Sequence, residues 1–205
     1  MLSVLLLGTM AVQGAQEPDP ATLLQRLARP APAMTPFTEV RFSQLLDRPL
    51  IVSGTLEYAG KDDLIRHVTA PFDERTEIQG ETVRVDRGRS HREISLSRVP
   101  ELRSLVTGFG GLLSGDAAAL EQDFRLSSSG DDAHWRLSLV PEDARIAQYV
   151  RTIEVTGAQD KPICIVTTEV RGNTSVLALQ GPAELHFPMP LDRPTVDRYC
   201  RDGHL

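Results

Sequence analysis

From Phe37 onward the chain alternates with a period of two, and the alternation is broken repeatedly by turn residues. Thr38, Val40, Phe42 and Gln44 alternate with Phe37, Glu39, Arg41 and Ser43. Leu50, Val52, Leu56 and Tyr58 alternate with Ile51, Ser53, Thr55 and Glu57. Residues two apart share one face of an extended chain, so these stretches read as half-buried strands. Short strands are predicted next at Leu64–Val68, Glu74–Ile78, Thr82–Asp86 and Arg92–Leu96, with Asp86-Arg87-Gly88-Arg89 supplying a turn. The pattern resumes at Phe124–Ser127, His134–Val140, Val150–Thr156, Ile163–Val170 and Thr174–Gln180, where Arg171-Gly172-Asn173 makes a hairpin. Counting gives about eleven strands, hence an α+β chain dominated by one large antiparallel sheet. A sheet of that size curls, and helices can then close its concave face.

One helical segment precedes the strand pattern and another interrupts it. Pro20 to Leu27 carries Leu23, Leu24 and Leu27 on one face, with Asp19 placed to cap it and Pro20 suited to its first turn. Between Pro100 and Leu113, residues Leu102, Leu105, Val106, Phe109 and Leu112 fall at helical spacing. Gly108, Gly110 and Gly111 weaken that helix, each by roughly 1 kcal/mol relative to Ala. A short turn of helix is expected over Asp116 to Gln122.

The chain has 205 residues, a net charge of −6 and 24% charged residues. The acidic balance argues against nucleic-acid binding. Leu2 to Val12 is an apolar run of signal-peptide length, followed by Val12-Gln13-Gly14 and a polar stretch, which places processing near Gly14 or Ala15 and leaves an exported protein starting near residue 16. No basic residue precedes the run; either the start lies upstream, or the segment is a buried N-terminal helix. In an oxidising compartment the two cysteines, Cys164 and Cys200, are expected to pair and to tie the C-terminal tail, residues 188–205, to the body; two free thiols are the alternative.

Catalytic motifs fail one by one. His67, His91, His134, His186 and His204 show no metal-ligand spacing. Ser90 and His91 point to opposite faces of a strand, and no GxSxG elbow exists. Gly108-Phe109-Gly110-Gly111 lacks the Lys-Ser/Thr of a phosphate loop. No enzyme, cofactor or metal is predicted. What remains is apolar surface: Phe42, Leu56, Tyr58, Ile94, Leu96, Trp135 and Leu137 are expected on one sheet face with Leu139, under a lid formed by Leu102, Leu105, Val106 and Phe109. An apolar face under a movable lid can hold an acyl chain; an ordinary packed core is the plainer alternative.

The leucine helix, then Phe37 through Phe42-Ser43-Gln44, then Ser53-Gly54-Thr55-Leu56-Glu57-Tyr58, resembles the opening of LolA-type periplasmic lipoprotein carriers. Pro71 to Gly80, Val83, Pro100–Leu113, Leu137-Ser138-Leu139-Val140-Pro141 and Ile153-Glu154-Val155 continue the same order. The resemblance implies a strongly curved open half-barrel capped by helices. It also implies a monomeric, non-enzymatic carrier that takes acyl chains of a lipoprotein from an inner-membrane donor to an outer-membrane acceptor. A scaffold module of the same fold that carries no lipid is the alternative. Two features depart from the carriers. Their latching Arg and its proline have no match in Ala59-Gly60-Lys61-Asp62-Asp63, and the role passes to neither Lys61 nor Arg66; the cysteine pair is also unusual. These departures resemble the divergent relatives found with polyene-lipid clusters, so another acyl or polyene lipid is a second cargo class.

Overall fold

A computed structural model describes residues 17–60, 63–98, 110–179 and 190–204. Eleven antiparallel strands form one open sheet: β1 (Ala33–Phe42), β2 (Leu50–Gly60), β3 (Asp63–Ala70), β4 (Glu74–Gln79), β5 (Thr82–Arg87), β6 (Ser90–Ser95), β7 (Phe124–Gly130), β8 (Trp135–Pro141), β9 (Val150–Ala158), β10 (Lys161–Glu169) and β11 (Thr174–Leu179). Their spatial order is β6-β5-β4-β3-β2-β1-β11-β10-β9-β8-β7, so the sheet does not close on itself. Every neighbouring pair but one is a sequential hairpin. The exception, β1 beside β11, brings the two halves of the chain together at the centre.

Helices are short: α1 (Pro20–Leu27), α2 (Ala117–Leu120), α3 (Ala144–Ala147) and α4 (Arg193–Asp202), with residues 110–114 also helical. They cover both faces of the sheet. On the concave side, Leu23, Leu24 and Leu27 of α1, Leu112 and Leu120 pack against Phe37, Val52, Leu56, Leu64, Trp135 and Leu137. On the convex side, Val196, Tyr199 and Cys200 of α4 pack against Val40, Val166, Val176 and Ala178. The central strand β1 is therefore buried on both faces, from Phe37 through Val40.

The C-terminal segment expected as a tail is the helix α4. Asp192 caps it by accepting from the Thr195 N–H at 2.9 Å, Pro194 lies in the first turn, and Gly203, at φ 75°, ends it with its N–H on the Tyr199 carbonyl. A disulfide joins Cys200 in this helix to Cys164 on β10, with the two Cα atoms 5.3 Å apart.

Gly54 in β2 shows how closely the strands approach. A Cβ there would lie 1.9 Å from the carbonyl oxygen of His67, backbone that cannot swing away, next to a shift in the β2–β3 register. Gly54→Ala is expected to cost about 1–3 kcal/mol in urea unfolding. Gly60→Ala, where a Cβ meets nothing within 4 Å, should leave the midpoint nearly unchanged.

Candidate functional site

The concave face is floored by alternate residues of the strands and roofed by helices. α1 forms where the sequence supplies a cap, a proline and a leucine stripe: Asp19 accepts from the Thr22 N–H at 2.9 Å, and the three leucines face the sheet, none more than 2% exposed. Each buried leucine stabilises the contact by roughly 1.5–3 kcal/mol. The polar rim of α1 reaches hairpin tips: Arg26 pairs with Asp132 at 2.7 Å, and Arg29 donates to the Asp160 carbonyl at 2.5 Å. The Arg29 N–H donates to the Leu113 carbonyl at 2.8 Å, joining α1 to the 110–114 turn. Gly111 serves packing as well as weakening the helix, since a Cβ there would sit 2.3 Å from Leu120 Cγ. The roof is thus one linked unit held to the sheet by side chains.

Beneath it lies a cavity of about 60 Å³, lined by Leu27, Leu56, Tyr58, Leu64, Leu112 and Leu179 among others. That falls well short of the roughly 300–1,000 Å³ of sites that enclose an organic ligand. An acyl chain therefore needs lining side chains to move, and Leu27 and Leu112 are the ones the roof contributes.

The residues expected to line the cavity divide. Leu56 and Tyr58 line it. Trp135 and Leu137 lie on the same face in the tightly packed β8 region, where the Trp135 indole N–H donates to the Gln159 carbonyl at 2.9 Å. Leu96 is buried in the same core, one residue beyond β6 and in a 3-10 turn. Ile94 pairs with Val83 on the edge strand and is 36% exposed. Phe42 is on the other face: β1 pairs Phe37 with Gly54 and Thr35 with Leu56, so the odd residues of β1 face the cavity, and Phe42 packs with the convex cluster under α4. Sequence alternation put Phe42 inside because its strand neighbours Thr38 and Val40 form the more apolar set, and that set is buried under α4 instead. The lid positions Leu102, Leu105, Val106 and Phe109 lie outside the described residues.

Glu39, on the set of β1 residues opposite Phe42, faces the concave side. It is 5% exposed and accepts four contacts: Arg41 at 2.7 and 3.1 Å, Ser175 at 2.6 Å, and a very close one from Arg66. Arg66 stacks 5.0 Å from the Phe37 ring centroid and approaches Glu74 at 3.8 Å, and Arg87 lies 3.7 Å from the same Glu74 and over Phe72. A string of alternating charge therefore crosses the concave face at the end away from the cavity. Burial alone would raise the Glu39 carboxyl, but Arg41, Arg66 and the Ser175 hydroxyl outweigh it and hold it below its ordinary value. Nothing in the alternation of β1 marks this glutamate as facing inward. In a polar groove of about 490 Å³ beside α4, Arg136 pairs with Glu154, Arg193 with Asp197, and Arg201 with Asp202 just outside the lining. Among the described residues no three His, Cys, Asp or Glu side chains gather as metal ligands, and no helix is long and apolar enough to cross a membrane.

An open antiparallel sheet with a helix-roofed apolar concave face is the fold expected of LolA-like proteins. Residues 13–202 match the family described as outer membrane lipoprotein carrier protein LolA-like, and the chain belongs to that family. Among solved structures it is similar to a LolA superfamily protein from Nitrosomonas europaea, at 12% identity over 91% of this chain and 99% of that one, with a TM-score of 0.47. A DUF1329 family protein from Desulfovibrio piger matches at 11% identity over 89% and 95% of the two chains, with a TM-score of 0.45. LprF from Mycobacterium bovis matches at 11% identity over 87% and 100%, with a TM-score of 0.40. No curated protein matches at a significant level.

Proposed function

We propose that this protein is a non-enzymatic periplasmic carrier that shelters the acyl chains of a lipoprotein, or of another lipid-like cargo, between its concave sheet and its roof. One observation carries the reading within this family: the apolar floor is closed by separate short helices, held to it by side chains and to each other by backbone hydrogen bonds such as that from Arg29 to Leu113, and not by the sheet itself. Such a roof can lift as a unit without breaking a strand pairing. Burial of ~0.8 kcal/mol per CH₂ then offsets the lost leucine contacts as an acyl chain replaces Leu27 and Leu112. The lid residues Leu102, Leu105, Val106 and Phe109 would extend that roof, and transfer would run from an inner-membrane donor to an outer-membrane acceptor.

The small residual cavity favours a second reading, a binding or scaffold module of the same fold whose interior stays filled. Mass spectrometry separates the two. Protein exported to a periplasm and purified without detergent should show a native mass exceeding its denatured mass by one lipid or acyl species. Ala33→Trp, at a half-buried position lining the cavity, should abolish that excess while changing the unfolding free energy by no more than about 1–3 kcal/mol. Phe109→Glu should do the same. A bare polypeptide mass, unchanged after incubation with lipid vesicles, would sink the carrier reading.

A further inference from the structure

Of the six large apolar side chains exposed among the described residues, Met34 near the start of β1 and Ile94 on the edge strand β6 stand apart, and the other four lie together. Leu45 is 92% exposed and Leu46 44%, both in the loop between β1 and β2. Val170 is 42% exposed beside the β10–β11 turn, and Tyr149 is 38% exposed between α3 and β9. The topology gathers all four at one end of the half-barrel. Phe42 pairs with Thr174, so the loop after β1 and the turn before β11 leave the sheet together, and the Gln44 amide lies over Gly172. Val170 donates its N–H to the Tyr149 carbonyl at 2.9 Å. The loop is built to present its leucines: the Leu45 N–H donates to Ser43 Oγ and the Leu46 N–H to the Ser43 carbonyl, a tight turn with Leu45 at its tip.

The surroundings of the patch are basic. Arg48, Arg151 and Arg171 flank it and have no acidic partner among the described residues; Arg151 instead donates to the Val170 carbonyl at 3.3 Å. Nearby Arg41 and Arg145 are neutralised by Glu39 and Asp143. The acids left beside the three arginines are Asp47 and Glu169, and Glu169 is engaged by the Asn173 amide at 2.7 Å. On a chain with a net charge of −6, the immediate surroundings of the protruding leucines and tyrosine hold these three arginines against two carboxylates, a local excess of one positive charge.

We infer that this end of the half-barrel, with Leu45 and Leu46 at its tip, is a docking surface for an anionic lipid bilayer. Leucines at a loop tip bury themselves at the level of the acyl-chain boundary, a tyrosine suits the headgroup region, and arginines reach phosphates while their stems stay apolar. Two leucines and a few charges give weak, reversible attachment, which suits a protein that must leave the membrane again. The inference stands apart from cargo binding, because the patch lies on exposed loops and not under the roof.

The test is sedimentation of the protein with vesicles of phosphatidylcholine alone and of phosphatidylcholine with 30% phosphatidylglycerol. Wild type is expected to partition onto the anionic vesicles several-fold better than onto neutral ones, and to be released by high salt. Leu45→Glu/Leu46→Glu should lower that partitioning by about tenfold or more. Arg48→Glu/Arg171→Glu should lower it several-fold. All four substituted side chains are exposed, so unfolding midpoints should not move. Wild type that stays in the supernatant, or a double leucine variant that binds as well as wild type, would overturn the inference. So would self-association dependent on Leu45 and Leu46 without vesicle binding, which would make the occupant a second copy. Cargo mass is read separately, so failure of docking and failure of carriage are distinguishable.

Discussion

Glu39→Ala is expected to destabilise the protein by about 3–5 kcal/mol, the cost of breaking a buried ion pair from one side. The alanine itself is harmless; what it leaves behind is the difficulty. The Arg66 side chain is only 16% exposed, stacked on Phe37 and aimed at the vacated carboxylate, and Ser175 loses its acceptor. Glu74, at 3.8 Å from Arg66, replaces part of the lost charge at a longer distance. Glu39→Gln keeps the shape and some hydrogen bonds, so it should cost less. The pH dependence separates charge from shape. The folded carboxyl is held below its ordinary value near 4.5, so its contribution to stability is complete above that value and is lost as the pH falls through the folded pKa. Wild type should therefore lose more stability than Glu39→Gln on acidification below about pH 4.5. Urea unfolding of the three proteins at pH 7 and pH 3.5 measures both effects; equal stability of wild type and Glu39→Ala at pH 7 would show that the pair contributes nothing net.

Cys164→Ser/Cys200→Ser should cost about 2–5 kcal/mol, because the bond closes a loop with a sequence separation of 36 and so restricts the unfolded chain. The loss should not be spread evenly. α4 buries Val196 and Tyr199 on the convex side, and its other attachment to the sheet includes the Thr156 hydroxyl donating to the Cys200 carbonyl at 2.8 Å. Amides of α4 should exchange fastest in the double variant, while those of β1 and β11, central in the sheet, stay protected longest. Uniform acceleration across the sheet would mean that the convex cluster is stable only with the bond in place.

Much of the fold was legible in the residues. Eleven strands, the α1 helix with its Asp19 cap, and the short helix after Asp116 all follow from local pattern, because period two, a leucine stripe and a capping aspartate act over a few residues. α4 was written in the chain too, as Asp192, Pro194, an Arg193–Asp197 pair and Gly203, yet its apolar stripe is only Val196, Tyr199 and Cys200, too short to announce a helix against so many charges. α3 was missed for the same reason, four residues behind the Asp143 cap.

The candidate site was less legible. Leu56 and Tyr58 were found because their alternation is clean, whereas Leu27, Leu64 and Leu179 join them only through the register of β1 with β2 and β11 and through the seat of α1. Phe42 and Glu39 mark the division most clearly. Alternation says that they lie on opposite faces of β1, and it is right; it cannot say which face is the cavity's when a helix far along the chain covers the other. Nor can it reveal that Arg41, Arg66 and Ser175, from three strands, converge to make an inward glutamate stable. Local pattern settles the strands and the Asp19 cap of α1, since each is an interaction among near neighbours. Which side of the sheet holds a cavity, and which charges can be buried in it, depends on the packed fold, because burial is a property of what packs above a residue and not of the residue's neighbours in the chain.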